Sequence, residues 1–272
     1  MTREAAGTPI RAVQITDSHL FRDPRAALLK LNTQHSFEKV VELIAAREKS
    51  IDIILATGDI AQDASAEAYC RFAEAMQALK APFYWIPGNH DRRVVMQNLS
   101  GYEHAFANRA EIANWQFIML DTSVAGEVYG RLDEHELRHL EMSLLAATEN
   151  PALEHVVVCL HHNPVPGKAL WMSDIGLHNS KEFLALIDRF AIVRAVVYGH
   201  VHQDLDFMRK NVRYFCSPST CIQFKPDAID FTLDELNPAY RWFNLYADGR
   251  IESAVERVQD FVFEVDHSST GY

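Results

Sequence analysis

The segment Ile51–Asp59 reads Ile-Asp-Ile-Ile-Leu-Ala-Thr-Gly-Asp, a nearly continuous apolar run that stops at a glycine and a carboxylate. Such a run is typical of a strand that is covered on both faces. Four other apolar runs also stop at short polar clusters. These are Arg11–Thr16 before Asp17-Ser18-His19, Phe83–Ile86 before Gly88-Asn89-His90-Asp91, Val156–Leu160 before His161-His162, and Ala195–Tyr198 before Gly199-His200-Val201-His202. Strands lying side by side would bring these clusters together at one rim of a sheet.

Helical patterns separate the first three runs. Ser36–Lys49 and Ser65–Leu79 carry apolar residues at helical spacing. The first 90 residues therefore predict a β-α-β-α-β order, which is typical of a parallel sheet with crossover helices. Further predicted elements are the strands Trp115–Asp121, His155–Leu160 and Ile192–Tyr198, the helices Asp133–Ala147 and Ser180–Phe190, and two hairpins, Asp204–Cys216 around Lys210-Asn211 and Tyr240–Val258 around Asp248-Gly249.

Length and composition limit the classes of protein to consider. The chain has 272 residues, 48% hydrophobic and 23% charged, which fits one α/β domain over 1–272 with a flexible tail at 266–272. A net charge of −11 argues against a nucleic-acid partner, because phosphate backbones are bound by clustered Lys and Arg. The four cysteines form no C-x-x-C pair, and we expect reduced thiols in a cytoplasmic protein. Met1–Gly7 has no apolar leader, and no run is long enough to span a membrane.

The polar clusters contain the donors that hard or borderline divalent metals prefer. Asp59 is the candidate for a carboxylate shared by two metals. Asp17 with His19, and His200 with His202, are two residues apart, so an extended backbone would project each pair the same way. Asn89 offers an amide oxygen, and either His161 or His162 supplies another imidazole.

Each cluster also has an ordinary structural explanation. Asp17-Ser18-His19 and Gly58-Asp59 are typical of caps and turns, His161-His162 of a core pair, and Gly199–His202 of a turn with surface imidazoles. Five such clusters, each after a strand-like run, make coincidence a poor explanation. The sequence therefore predicts a metal site and, with it, metal-assisted displacement at phosphorus.

The ordered set of clusters resembles the signature of the calcineurin-like metallophosphoesterase superfamily: Asp-x-His, Gly-Asp, Gly-Asn-His-Asp, a later His, and Gly-His-x-His. The flanking sequence is also informative. Gln14–Phe21, Ala56–Asp63 and Pro218–Pro226 look like the corresponding parts of the bacterial class III 3',5'-cyclic AMP phosphodiesterases. The similarity extends from about residue 10 to the C-terminal Gly271-Tyr272.

This resemblance implies a four-layer αββα sandwich with mixed sheets and two metals at the strand ends. Asp17, His19, Asp59 and His202 would hold one metal (the first half-site). Asp59, Asn89, His161 and His200 would hold the other (the second half-site). His161, the first residue past its strand, is expected to be the ligand rather than His162. Catalysis is assigned to Asp59 and His90, and substrate contacts to His19, Asp59, Asn89, His90 and His202.

The implied reaction is hydrolysis of 3',5'-cyclic AMP to 5'-AMP by a hydroxide between two divalent metals, which lowers cellular cyclic AMP. His90 would protonate the departing ribose oxygen. Fe, Mn, Zn and Co all suit the donors, with Fe and Mn favoured. The alternatives are a broader phosphodiesterase or phosphatase on the same scaffold, and a non-catalytic metal-binding scaffold. Relative turnover of several phosphodiesters distinguishes the first alternative from a cyclic AMP phosphodiesterase. Loss of metal ligands from the sequence would indicate the second.

One position departs from the pattern. Many superfamily members place a carboxylate three residues after the shared Asp, where it orients the imidazole of Gly-Asn-His. Here that residue is Gln62, and the carboxylate follows at Asp63, which either supports His90 or caps the next helix. The base has two candidate contacts, the irregular stretch Pro164–Asn179, which contains Trp171, and the pair Gln223-Phe224. Both have packing or turn explanations as well.

Overall fold

The computed structural model describes residues 7–271. Two predictions fall partly outside this range, the missing leader at Met1–Gly7 and the tail at 266–272. The described strands are β1 (Ile10–Ile15), β2 (Ala27–Leu28), β3 (Leu31–Asn32), β4 (Ile53–Ala56), β5 (Phe83–Trp85), β6 (Arg109–Ile112), β7 (Trp115–Met119), β8 (His155–Cys159), β9 (Val193–Tyr198), β10 (Leu205–Arg209), β11 (Val212–Cys216), β12 (Gln223–Phe224), β13 (Leu233–Asp234), β14 (Ala239–Leu245) and β15 (Ile251–Arg257). The α-helices are α1 (Thr33–Arg47), α2 (Ala66–Ala78), α3 (Arg93–Gln97), α4 (Glu134–Glu149) and α5 (Ser180–Ile187), with 3₁₀ turns at Glu103–Phe106 and Leu170–Met172.

The first large sheet has the strand order β15-β14-β1-β4-β5. Strands β1, β4 and β5 run parallel, as the β-α-β-α-β pattern predicts. The hairpin of β14 and β15 joins the other edge of β1 antiparallel, so the sheet is mixed. The carboxyl ends of the three parallel strands therefore lie together, and each is followed by a polar cluster.

The second large sheet has the order β10-β11-β9-β8-β7-β6. Strands β7, β8, β9 and β11 run parallel, and the edge strands β6 and β10 are antiparallel to their neighbours. The predicted hairpin around Lys210 is β10–β11, and Lys210 has a φ of 53°, the left-handed conformation that such a tight turn requires.

Apolar faces hold four layers together. Helices α1 and α2 bury Phe37, Val40 and Phe72 against the outer face of the first sheet. Helices α4 and α5 bury Leu140 and Phe183 in the same way against the second sheet. The inner faces of the two sheets share a further core that includes Leu55, Phe117, Val157, Val197, Phe215 and Phe243. The αββα sandwich is thus confirmed.

A buried glutamine joins the two sheets just beneath the rim that carries the clusters. Gln14 Nε2 donates to Thr57 Oγ1 at 2.8 Å and to the Tyr198 carbonyl at 3.0 Å. Gln14 Oε1 accepts from Ser217 Oγ at 2.5 Å. Because Gln14, Thr57 and Tyr198 precede three of the clusters, this amide fixes the clusters of one sheet relative to those of the other.

Several boundaries differ from the sequence-based expectation. Helix α1 starts at Thr33, three residues early, because the Asn32 side chain accepts from the His35 N–H and caps the helix. Strand β6, helix α3 and the short strands β2, β3, β12 and β13 were not predicted. All four cysteines are free. Among residues 7–271, no helix combines the length and apolar character needed to cross a membrane.

Candidate metal centre

The polar clusters meet where the carboxyl ends of both large sheets come together. Four of the predicted ligands lie in the loops that follow strands β1, β4 and β5, and three lie in the loops that follow β8 and β9. All of them except Asn89 are buried, and the structure brings all seven together. The seven are Asp17, His19, Asp59, Asn89, His161, His200 and His202.

The Asp59 carboxylate lies between the two groups of donors. Its Oδ2 atom is 3.3 Å from His161 Nε2 and 3.9 Å from His19 Nε2. On the second side, His161 Nε2 also lies 3.3 Å from Asn89 Oδ1. On the first side, His202 Nε2 is 3.2 Å from His19 Nε2 and 3.3 Å from Asp17 Oδ1. This is the arrangement expected of a carboxylate shared by two cations.

The donor atoms are suited to divalent metals. Asp59 Oδ2 and His200 Nδ1 are buried and have no hydrogen-bond partner in the described chain. Leaving such atoms unpaired costs about 1–3 kcal/mol each, so a native site is expected to supply a partner. Subsets such as Asp17–Asp59–His161 place three potential ligand atoms within 4.8 Å of one another. The residues present therefore fit the metals that the sequence predicts.

The main chain is strained at these residues. Asp17, His19 and Asp59 have φ angles of 55°, 46° and 49°, and His200 and His202 have 69° and 47°. Left-handed conformations are uncommon outside glycine and cluster at functional sites. The extended backbone expected at Asp17–His19 and His200–His202 is therefore wrong, because tight turns, and not strand alternation, direct each pair of side chains to the same side.

Two glycines allow the clusters to approach one another. Gly58 has a φ of 97°, and a Cβ atom there would lie 2.5 Å from the His161 ring. At Gly199, a Cβ atom would lie 2.1 Å from Thr16 Oγ1 and 2.5 Å from Asp17 Oδ2. Both turns therefore need glycine to bring the ligand-bearing loops into contact.

The protonation states of the donors follow from burial and neighbouring charge. Burial outweighs the nearby carboxylates at His19 and His200 and lowers each pKa to about 3. Burial also opposes charge on His161, but Asp59 and Asp17 outweigh it and raise its pKa to about 9. Burial acts against ionisation of Asp59, yet the surrounding imidazoles hold its pKa well below the usual range. Ionised carboxylates and neutral imidazoles are metal-binding forms, and His161 must lose its proton to join them.

Hydrogen bonds distinguish the two adjacent histidines. His162 Nε2 donates to the Val128 carbonyl at 3.1 Å, so its Nδ1 accepts from Thr122 Oγ1 at 2.7 Å. Both ring nitrogens of His162 are thus used. His161 Nδ1 donates to the Thr57 carbonyl at 2.7 Å, so Nε2 is the atom directed at Asp59 and Asn89 and the one that would bind a metal after losing its proton. This geometry favours His161 as the ligand.

Paired alanine variants test this choice. We expect His161→Ala to lose one metal and at least about 100-fold in activity, because a ligand costs no less than an outer partner. We expect His162→Ala to keep both metals and lose about 1–3 kcal/mol of unfolding free energy, because Thr122 and Val128 lose their partner. Metal analysis and urea unfolding measure the two effects. Metal loss in His162→Ala alone would reverse the assignment.

The region around His90 departs from the expected pattern. His90 is half-buried, its main-chain N–H donates to Asp59 Oδ1 at 2.9 Å, and its ring centroid lies 5.0 Å from that of His19. Asp63 accepts from the N–H groups of Arg22 and Ser65, so it organises the turn before α2. Gln62 Oε1 accepts from His19 Nδ1 at 2.6 Å, so it contacts a predicted ligand.

No role was predicted for Asp91 from the sequence, but the structure gives it one. Its carboxylate accepts from the N–H groups of Ile60, Ala61 and Gly88 and from the Tyr69 hydroxyl, at 2.9–3.1 Å. Burial, and then the charge of Asp59, raise its pKa to about 6. Asp91 therefore ties the loop of Asn89 and His90 to the loop of Asp59. The sequence signal for this role was the carboxylate that directly follows Gly-Asn-His.

The two candidate base contacts have packing roles in the described chain. Gln223 Nε2 donates to the carbonyls of Ser219 and Cys221. The Phe224 ring stacks on His202 at 4.4 Å, and Trp171 meets Phe224 edge-on at 5.1 Å. These aromatic rings thus support a predicted ligand from outside.

Comparison with known proteins agrees with this geometry. A family model described as calcineurin-like phosphoesterase matches residues 10–204. The chain is 42% identical to the 3',5'-cyclic adenosine monophosphate phosphodiesterase CpdA of Pseudomonas aeruginosa over 268 residues, which cover 98% of this chain and 97% of the relative. It is 40% identical to CpdA of Escherichia coli K12, over 97% of this chain and 95% of the relative.

A solved structure with the same fold is more distant in sequence. A dimetal phosphatase from Danio rerio superposes with a TM-score of 0.64 at 15% identity, covering 93% of this chain and 100% of the phosphatase. At this identity the likeness concerns the arrangement of sheets and helices alone.

Proposed function

Because the chain belongs to the calcineurin-like phosphoesterase family, we propose that it hydrolyses 3',5'-cyclic AMP to 5'-AMP with two divalent metals. The observation that carries the proposal is that six other donors surround Asp59, whose buried Oδ2 atom accepts no hydrogen bond in the described chain. The near full-length relatives named as cyclic AMP phosphodiesterases support the choice of substrate.

The proposed ligands are those of the two half-sites, with Asp59 shared. Bound there, divalent metals would supply positive charge to the phosphoryl oxygens and lower the pKa of an attacking water. Fe and Mn are the proposed metals, since the proposed ligands are carboxylate, amide and imidazole groups and include no cysteine. Thr16 Oγ1 donates to the Asp17 carboxylate at 2.6 Å, and the His200 N–H donates to it at 3.1 Å. These hydrogen bonds orient the Asp17 oxygens.

The remaining groups act on the substrate. His90 is open to solvent on one side and anchored through its main chain to Asp59, which suits a proton donor to the departing ribose 3'-oxygen. Asn89, His19 and His202 border the same space and are proposed to orient the phosphate. Proton donation matters because an alkoxide is a poor leaving group. Transfer of a proton from His90 to the departing 3'-oxygen would release 5'-AMP with a neutral 3'-hydroxyl group.

One observation favours a broader phosphodiesterase as the second candidate. The Gln223 amide, one of two candidate contacts to the base, donates through Nε2 to the main chain of its own turn. A base held only by shape and packing is discriminated weakly, by about 10–200-fold.

Turnover of three esters separates the two candidates. We expect kcat/KM for cyclic AMP to exceed that for cyclic GMP and for bis(4-nitrophenyl) phosphate by about tenfold or more, with the same metal content in each assay. A chain that processes both competitors faster than cyclic AMP belongs to the broader class.

The wider setting is proposed with the activity. A single domain over 1–272 is supported by the core that both sheets share and by the Gln14 hydrogen bonds between them. A small cyclic nucleotide is the proposed partner, and neither nucleic acid nor membrane is proposed. Action in the cytoplasm agrees with four free thiols, of which three are buried.

A further inference from the structure

The histidines of the two half-sites are held by their second ring nitrogens. Three of them donate to main-chain carbonyls, which every residue type provides. The fourth, His19, donates to a side chain. The four contacts are His161 Nδ1 to Thr57 O at 2.7 Å, His200 Nε2 to Ile175 O at 2.9 Å, His202 Nδ1 to Ile222 O at 2.8 Å, and His19 Nδ1 to Gln62 Oε1 at 2.6 Å.

The main chain holds Gln62 firmly in place. Its N–H donates to the Leu20 carbonyl at 2.8 Å, and the Leu20 N–H donates to the Ile60 carbonyl at 2.9 Å. The His19 N–H donates to the Asp59 carbonyl in the same ladder, at 2.9 Å. The loops of His19 and Asp59 are thus paired, and the Gln62 side chain is presented to the His19 ring by a rigid frame.

The amide fixes the state of the imidazole. Because Gln62 Oε1 accepts from Nδ1–H, the lone pair of His19 is on Nε2, the atom 3.2 Å from His202 Nε2 and 3.9 Å from Asp59 Oδ2. Partners of this kind orient ligand histidines and set their donor strength. A neutral amide does so without adding a third negative charge beside Asp17 and Asp59.

We propose that Gln62 is a positioning residue that sets how tightly the first half-site holds its metal while keeping that half-site open to an anionic substrate. The inference rests on the proposed function for the existence of the metals. A carboxylate at this position would strengthen metal binding and repel the phosphodiester anion. Gln62 therefore lies at a compromise between metal affinity and substrate affinity.

Three variants of the full chain test the proposal. Gln62→Met keeps the length of the side chain but removes the acceptor. Gln62→Glu keeps the acceptor and adds charge. Asp63→Asn is the matched control, because Asp63 is adjacent and its side chain accepts from the Arg22 and Ser65 N–H groups and from the Ser65 side chain. The probe is Mn²⁺ alone, titrated against a fluorescent chelator, followed by KM for cyclic AMP at saturating Mn²⁺.

In Gln62→Met, we expect one of the two Mn²⁺ sites to weaken by about 10–100-fold while the other is unchanged. In Gln62→Glu, the affinity for Mn²⁺ should equal or exceed that of the wild type, and the KM for cyclic AMP should rise. Unchanged affinity in Gln62→Met, weaker affinity in Gln62→Glu, or equal losses in Asp63→Asn would each overturn the proposal. Because Gln62→Glu retains shape and acceptor, its result decides the matter if Gln62→Met does not fold.

The same titration separates this inference from the proposed function. Wild-type protein that binds two Mn²⁺ ions but fails to hydrolyse cyclic AMP would end the substrate proposal and leave the Gln62 test intact. Wild-type protein that hydrolyses cyclic AMP while Gln62→Met binds Mn²⁺ normally would do the reverse.

Discussion

Replacing Asp59 with alanine is expected to reduce hydrolysis of cyclic AMP by about four orders of magnitude or more. Asp59 Oδ2 is within 3.3 Å of His161 and 3.9 Å of His19, so its loss removes the anionic donor that both half-sites share. Its Oδ1 atom also anchors the His90 main chain, so the proposed proton donor loses its support in the same variant.

Metal analysis of purified Asp59→Ala, together with its kcat/KM, measures both effects. Asp63→Ala is the control, since it removes from the same loop a carboxylate that accepts from the Arg22 and Ser65 N–H groups. A variant that retained two tightly bound metals would show that Asp59 is not shared between them.

Replacing His90 with alanine is expected to leave both metals bound and to lower cyclic AMP turnover by about 10²–10⁴-fold. The His90 ring lies near Asp59 and His19, with potential ligand atoms within 4.8 Å of one another, but it belongs to neither proposed half-site, and its main-chain N–H is the group that donates to Asp59. The loss should depend on the leaving group, because a nitrophenolate departs without protonation whereas a ribose alkoxide does not.

The ratio of losses for cyclic AMP and bis(4-nitrophenyl) phosphate is therefore the decisive measurement. His104→Ala serves as the control, because His104 packs edge-on against Phe83 at 5.8 Å, outside the polar clusters. Equal losses for both esters in His90→Ala would assign His90 to phosphate binding rather than to proton donation.

Most of the parallel core could be predicted from the sequence, because β1, β4, β8 and β9 are mostly buried and so appear as largely apolar runs. Strand β6 was missed because Arg109 and Glu111 interrupt a four-residue segment on a sheet edge. The insertion of β14 beside β1 was also missed. The two strands lie more than 220 residues apart, and neither carries a local signal for the other.

The grouping of the donors could be predicted, because five polar clusters each follow a strand-like run and such recurrence is a poor match to coincidence. The groups that hold them could not. The carbonyls of Thr57, Ile175 and Ile222 exist in every residue type, so no side chain marks them. Gln62 was visible in the sequence, but its contact with His19 depends on the pairing of two loops.

The division of the centre between the two sheets has a consequence for biosynthesis. On the proposed assignment, both half-sites need a donor from the turn after β9, His202 for the first and His200 for the second, whereas Asp17, His19, Asp59 and Asn89 are made much earlier. A growing chain would therefore carry incomplete half-sites until His202 has left the ribosome. We expect the proposed metals to bind only after that point, and their binding would close a loop between Asp17 and His202.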